Sequence, residues 1–274
     1  MFLIQAIKAI IDILIVIVLL RLLIRPVEAN FNTIYNLIFR ITDPILKPFK
    51  TIVKNDFYCV CLSVLCLVII RGLIYFSTGR ISLLSGEGAS ILNLFQLLFQ
   101  FYMVVWFIAI LTGDRVHTPV IGMLQRAFLP LGSLAARLNI QRKSFSLFSF
   151  VVIFIIYSLI SYLLHNITSF KSPPLSFKFY YGIVEALVLI IELFPGFFSL
   201  VILVSVLLSW VSPSPYNPVV QTIYGISEPL LAPFRRIIPP IAGLDLSPIA
   251  ALLCFQIIGG VLRQTIINAV GKLI

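Results

Sequence analysis

Five ionisable residues, Asp12, Arg71, Glu185, Glu192 and Arg263, stand inside stretches otherwise apolar enough to cross a bilayer. A charge at the centre of a span costs roughly 2.5 to 3.5 kcal/mol on insertion scales, so each needs a partner or a task. Two chemistries fit. An acid facing an arginine forms a pair that lets both insert and fixes helix register, whereas unpaired acids line a cation or proton path. Depth favours pairing: Asp12 lies twelve residues before Ile24 and Arg71 fourteen after Phe57, while Glu192 lies 19 before Val211 and Arg263 16 after Ser247. At 1.5 Å per residue each acid meets an arginine at similar depth on an antiparallel neighbour. Glu185, seven residues before Glu192 and on the same helix face, keeps the ion path open as the alternative.

No other constellation supports catalysis or a cofactor. His117 and His165 fall at opposite ends of one predicted hairpin, so they cannot jointly ligate haem or a metal. Cys59, Cys61, Cys66 and Cys254 lie within apolar runs and read as packing residues; Cys59 and Cys61, two apart on a helix, point in different directions. The sequence carries no G-x-S-x-G, H-E-x-x-H, P-loop or G-x-G-x-x-G pattern. The glycine-rich Ser85–Ser90 opens an apolar run and is a poor phosphate cradle. The expectation is a non-enzyme without cofactor or metal.

The elements that must position these residues are long and apolar. With 60% hydrophobic and 11% charged residues and a mean hydropathy of +1.11, helices of this chain are apolar all round. Six runs reach bilayer length: Phe2–Ile24, Phe57–Phe76, Ile91–Thr112, Phe145–Leu164, Tyr181–Val211 and Ile249–Ile267. They do not alternate as barrel strands would, so the expected fold is an all-α membrane protein of about six transmembrane helices. Asp12 interrupts the first run and only Lys8 precedes it, which favours a retained helix over a cleaved leader. Pro195 should kink or divide the fifth.

The net charge of +10 follows topology rather than nucleic-acid binding, for which the bases are too dispersed. Loops 21–56, 113–144 and 212–246 carry six, five and two Lys or Arg, against Arg80 alone and the pair Lys171 and Lys178 in the intervening loops. The positive-inside rule places the richer loops in the cytoplasm and both termini outside, in a multi-pass protein of the inner (plasma) membrane.

The cytoplasmic stretch Ser209–Pro248, SWVSPSPYNPVVQTIYGISEPLLAPFRRIIPPIAGLDLSP, has the most structured pattern. Asn217-Pro218, Glu228-Pro229 and Ser247-Pro248 each place a side-chain acceptor before a proline, the signature of a capped helix start. Val219, Ile223, Ile226, Leu230, Phe234 and Ile237 recur at helical spacing, which predicts an amphipathic helix broken at Glu228. Such an elbow lies along the bilayer interface, with Arg235 and Arg236 among anionic headgroups. The pattern recurs 185 residues earlier, where Asp43-Pro44 matches Glu228-Pro229, Pro48-Phe49 matches Pro233-Phe234 and Lys50 matches Arg235; Lys47 joins Lys50 as a headgroup anchor. A degenerate third copy lies 99 residues before the last, with Thr118-Pro119-Val120 at Asn217-Pro218-Val219, Pro130 at Pro229 and Arg137 at Arg236. Three parallel helix–elbow–helix hairpins result: residues 1–80, a degenerate 81–170 and 171–274.

The run SWVSPSPYNP…SEPLLAPFRRIIPPIAGLDLSP, with Asp245 and Pro248 closing it, resembles the signature of the YggT family of small integral membrane proteins, bacterial YlmG-like and plastid members included. Members commonly carry the hairpin once or twice, so this chain is longer than a two-hairpin member needs. The resemblance implies a non-enzymatic scaffold or assembly factor, through family links to division or nucleoid organisation and to plastid cytochrome assembly. It offers, as the alternative, an ion or osmolyte transport component, through links to osmotic tolerance and cation uptake. The partners expected are anionic lipid, other membrane or division proteins and a second copy of the chain, without direct nucleic-acid contact.

Overall fold

The computed structural model describes residues 2–29, 32–77, 83–113, 118–168, 180–238 and 245–271. His117, Arg80, Lys171, Lys178 and the PPIAGL segment at 239–244 lie outside the described residues. Two compact units are distinguished, Met1–Leu98 with Ile160–Phe177 and Phe99–Leu159 with Lys178–Ile274.

In the first unit α1 (Phe2–Leu20) ends in a 3₁₀ turn at Arg21–Leu23, followed by short α2 (Pro26–Ala29), α3 (Thr33–Lys50), α4 (Asp56–Ser77) and the opening of α5 (Leu83–Thr112). Asn32 starts α3 by accepting a hydrogen bond from the Ile34 amide at 2.9 Å, which satisfies one of the amides a helix start leaves unpaired. α1 packs along α4, and α3 lies against both. Their shared core is Ile11, Ile15 and Val18 from α1, Leu46 from α3, and Cys59, Val60, Val64 and Val68 from α4. Spacings of three and four put Ile11, Ile15 and Val18 on one face of α1 and Val60, Val64 and Val68 on one face of α4. Between helices in lipid the gain comes from close packing and polar contacts rather than from removing water, so fit along these faces holds the unit together.

The second unit contains the remainder of α5, then α6 (Pro119–Gln125), α7 (Leu129–Arg137), α8 (Phe145–Thr168) as far as Leu159, α9 (Tyr180–Glu192), α10 (Ser199–Val211), α11 (Pro218–Ile237) and α12 (Ser247–Gly271). Thr118 caps α6, and Asn217 caps α11 by accepting from the Val219 amide at 2.9 Å. Pro195 divides the fifth apolar run as expected. A π-helical turn, Phe194–Phe198, separates α9 from α10, and the Phe198 amide reaches the Leu193 carbonyl at 2.9 Å. Gln256 of α12 donates to the Pro195 carbonyl at 3.0 Å, satisfying a group exposed by the irregular turn.

Among the described residues five helices are long and apolar enough to cross a membrane: Asp56–Ser77, Leu83–Thr112, Arg142–Asn166, Tyr180–Val211 and Ser247–Ala269. α1, the expected first span, is a 19-residue apolar helix that is not among these five. The protein is a multi-pass helical membrane protein by this length and composition.

Three local expectations are corrected. Glu228-Pro229 and Asp43-Pro44 are not helix starts: α11 runs unbroken through Pro229 and Pro233, and α3 through Pro44 and Pro48. A proline removes one i to i−4 hydrogen bond, and here that loss is offset by a continuous buried face, Tyr35, Thr42 and Leu46 in α3 and Val220, Thr222, Ile226, Leu230 and Leu231 in α11. Ser247 does not cap α12; Asp245, two residues earlier, accepts from the Ser247 amide at 2.9 Å, with Pro248 in the first turn. Only Cys59 is a buried packing cysteine, whereas Cys61 and Cys66 are exposed on α4 and Cys254 is half-buried.

Candidate functional site

α4 delivers Arg71 into the first unit fully buried, where it pairs with Asp12 of α1. Its Nε donates to the Ser90 hydroxyl of α5 at 3.0 Å, and its Nη2 donates to the Ser90 carbonyl at 2.5 Å. The Ser90 hydroxyl donates onward to the Val68 carbonyl at 2.6 Å, and Asn93 of α5 donates to Asp12 at 3.3 Å. Three helices thus meet at one arginine, and Asp12 and Ser90 together give each guanidinium nitrogen of Arg71 a partner. One turn farther along α4, Tyr75 carries Lys8 of α1 over its ring at 3.6 Å from the centroid.

Glu192 and Arg263 also meet, with Oε1 and Nε 3.1 Å apart between α9 and α12. Glu185, half-buried on α9, takes no part in this pair. Gly259 of α12 sits against the Pro195 ring, where an added Cβ would come within 3.1 Å of the proline Cδ.

The same ionic clamp occurs at the ends of α3 and α11. Lys50, near the end of α3, lies 3.5 Å from Asp43 and 3.9 Å from Asp56 at the start of α4. Arg235, near the end of α11, lies 2.6 Å from Glu228 and 2.8 Å from Asp245 just before α12. In each case a base reaches an acid seven residues back on its own helix and another at the start of the next span, tying elbow to span. The first clamp has an extra member. Arg21, largely buried below α1, lies 2.8 Å from Asp43 and 4.0 Å from Asp56, donates to Thr42 at 2.9 Å, and stacks 4.1 Å from the Phe39 ring centroid. Arg235 and Lys50 are therefore held by internal carboxylates, while Arg236 and Lys47 point outward with no acid at ion-pair distance among the described residues. Arg21 and Asp56 were not singled out by sequence reasoning; the recurrent seven-residue spacing of acid and base is the signal that finds the clamp.

Partial burial pushes the Asp43 carboxyl up, but hydrogen bonding and charge from Arg21, then Lys50, outweigh it and hold the group below the ordinary aspartate range. At Asp245 burial is likewise outweighed by hydrogen bonds from Ser247 and by Arg235. At Arg235 burial is outweighed by Glu228 and Asp245, so its proton is held more firmly than usual. Acids lowered in this way contribute stability above the unfolded value of about 4, lost as pH falls through the lower folded value. Spin-label mobility at Ile237 is expected to be flat from pH 5 to 8 and to rise below pH 4. A rise centred near pH 6 would exclude these carboxylates as the cause.

Five apolar helices of spanning length, two acid–arginine pairs between apolar helices, and α3 and α11 each clamped to the helix that follows define a class of multi-pass helical membrane protein. The CCB3/YggT sequence family matches residues 184–266, the final hairpin with its clamp and ion pair. Over 142 residues the chain is 31% identical to an uncharacterized protein in the proC 3' region of Vibrio alginolyticus, covering 52% of this chain and 69% of the relative. It is 43% identical over 76 residues to the uncharacterized protein PA0392 of Pseudomonas aeruginosa, covering 28% of this chain and 39% of that one. It is 36% identical over 58 residues to the uncharacterized protein YggT of Escherichia coli K12, covering 21% and 30% respectively. The chain belongs to the CCB3/YggT family. No solved structure matches it.

Proposed function

We propose that this protein is a non-enzymatic membrane scaffold or assembly factor that presents α3 and α11 as amphipathic elbows at the cytoplasmic face of the inner membrane. The observation carrying this reading is the clamp. It fixes each elbow against its span with Lys50 or Arg235, so that the remaining bases, Arg236 on α11 and Arg40 and Lys47 on α3, face outward. Each such base near an acidic surface contributes roughly 1 kcal/mol toward anionic lipid. Exposed Ile237 and Ile52 beside them supply apolar contact with acyl chains. The 185-residue spacing of the pairs Asp43–Lys50 and Glu228–Arg235 supports hairpin repeats at 1–80 and 171–274; in the degenerate 81–170 hairpin, Leu129 and Ala136 replace that pair.

Nitroxides scanned from Leu230 to Ile238 are expected to alternate between lipid and headgroup exposure with a 3.6-residue period. Replacing Arg236 and Lys47 by glutamine should remove the dependence of that signal on acidic lipid, while leaving the clamps in place. Uniform water exposure along the scan would eliminate the scaffold reading. Photoreactive groups between Ser227 and Arg236 then identify protein partners.

The transport alternative is favoured by one observation, the Asp12–Arg71–Asn93 network within the apolar layer. Cation flux in liposomes that is lost on Asp12→Asn would support it. Topology is tested separately: single cysteines at Thr51, Ser133 and Ile238 should be shielded from an impermeant reagent in intact cells, because loops 21–56, 113–144 and 212–246 together hold thirteen Lys or Arg against three in the other two loops.

A further inference from the structure

The two intramembrane ion pairs differ in what covers them. At Arg71 a third helix supplies Ser90 as acceptor and Asn93 as donor to the acid, and the arginine is fully buried. Arg263 has one partner among the described residues, Glu192, and its side chain stays 55% exposed, with Glu192 at 35%. Among the described residues, no third helix of the second unit supplies the corresponding dipoles. Arg263 follows Ser247 by sixteen residues, about 24 Å along α12, within a hydrocarbon layer about 30 Å thick. In that layer neither water nor lipid tails satisfy the remaining guanidinium donors.

Beside the pair, α12 presents a stripe at helical spacing, Leu253, Ile257, Gly260, Gln264 and Asn268, every member exposed. Gln264 Nε2 donates to Asn268 Oδ1 at 2.9 Å, leaving the Gln264 carbonyl as an acceptor and the Asn268 amide as a donor. At Gly260 an added Cβ would meet nothing within 4 Å, so a second helix can approach the backbone closely.

We infer that a second copy of this chain covers α12 in a two-fold pairing. The partner's Gln264 and Asn268 amides then serve Arg263 and Glu192 as Ser90 and Asn93 serve Arg71 and Asp12. The occupant follows from chemistry. Glu192 and Arg263 together are neutral, so they call for dipoles rather than a further charge, and the amide pair offers both a donor and an acceptor. A two-fold axis places that same patch on both sides, and each copy supplies what the other lacks. The inference goes beyond the scaffold reading and holds or fails independently of it.

The test is disulfide trapping in native membranes of the full-length chain, with Cys61, Cys66 and Cys254 changed to alanine and buried Cys59 kept. Single substitutions Leu253→Cys, Ile257→Cys, Gly260→Cys and Gln264→Cys are expected to give covalent dimers. Ile258→Cys and Leu262→Cys, exposed on the other side of α12, are not. Adding Gln264→Leu to Ile257→Cys should lower the dimer yield by roughly threefold, the scale of one interhelical polar contact. Native mass measurement of the unsubstituted protein in lipid discs should give twice the chain mass. Monomers throughout, equal trapping on both sides of α12, or trapping only to a different protein would each overturn the inference.

Discussion

Replacing Asp12 by leucine is expected to destabilise the first unit by about 3 to 5 kcal/mol, the cost of leaving a buried charge without its counter-charge. Arg71 is fully buried, and its other contacts, the Ser90 hydroxyl and carbonyl, are neutral acceptors that cannot replace a carboxylate. The guanidinium cannot shed its proton to escape, and its burial in α4 against α1 and α5 keeps it from water. Glu192→Leu should cost less, because within its own unit neither Arg263, at 55% exposure, nor Glu192, at 35%, is buried as Arg71 is. Unfolding in bicelles measures both. The double variant Asp12→Leu with Arg71→Leu should recover most of the loss, because an apolar pair of similar volume leaves no charge to satisfy. A double-mutant cycle without coupling would mean the pair contributes nothing to the fold and would release Asp12 for the ion-path reading.

How far the sequence carried this network shows where sequence reasoning has leverage. Depth counting along antiparallel helices matched Asp12 with Arg71 and Glu192 with Arg263, because rise per residue is nearly constant in a span. It could not foresee that Ser90 and Asn93 would complete one site, since which helix face meets a third helix is set by packing rather than periodicity. The division at Pro195 was legible because a proline in a helix interior has few outcomes. Yet the same rule misled at Pro44 and Pro229, where buried Leu46 and Leu230 keep one continuous helix face and offset the lost backbone bonds. Charge alone makes Arg235 and Lys50 lipid anchors, but an acid one helical heptad back claims each of them first. Asp56 and Arg21 carry no such signal, because both sit at helix ends, where charge counting treats every residue as loop.

The least legible constraint is steric, and it gives the other large expected effect: Gly182→Ala should destabilise the packing of α9 against α8. A Cβ at Gly182 would overlap the Ser158 carbonyl oxygen and lie 3.0 Å from its carbonyl carbon. That obstacle is backbone within a helix, flanked by the fully buried Ser158 side chain, so it has no rotamer by which to yield. The helices must separate, which disturbs buried Ala186 and Leu189 on the same face of α9. Overpacking of this kind costs typically 1 to 3 kcal/mol, and a backbone clash places Gly182→Ala at about the upper end. Two comparisons isolate the cause. Gly72→Ala would meet only the carboxylate end of Glu87, a flexible side chain that can swing aside, and should cost less. Gly132→Ala, in α7 with nothing within 4 Å, should be neutral or stabilise by up to about 1 kcal/mol through helix propensity alone. If Gly182→Ala unfolds in bicelles at the same denaturant concentration as Gly132→Ala, α8 and α9 stand farther apart in the membrane than this contact requires.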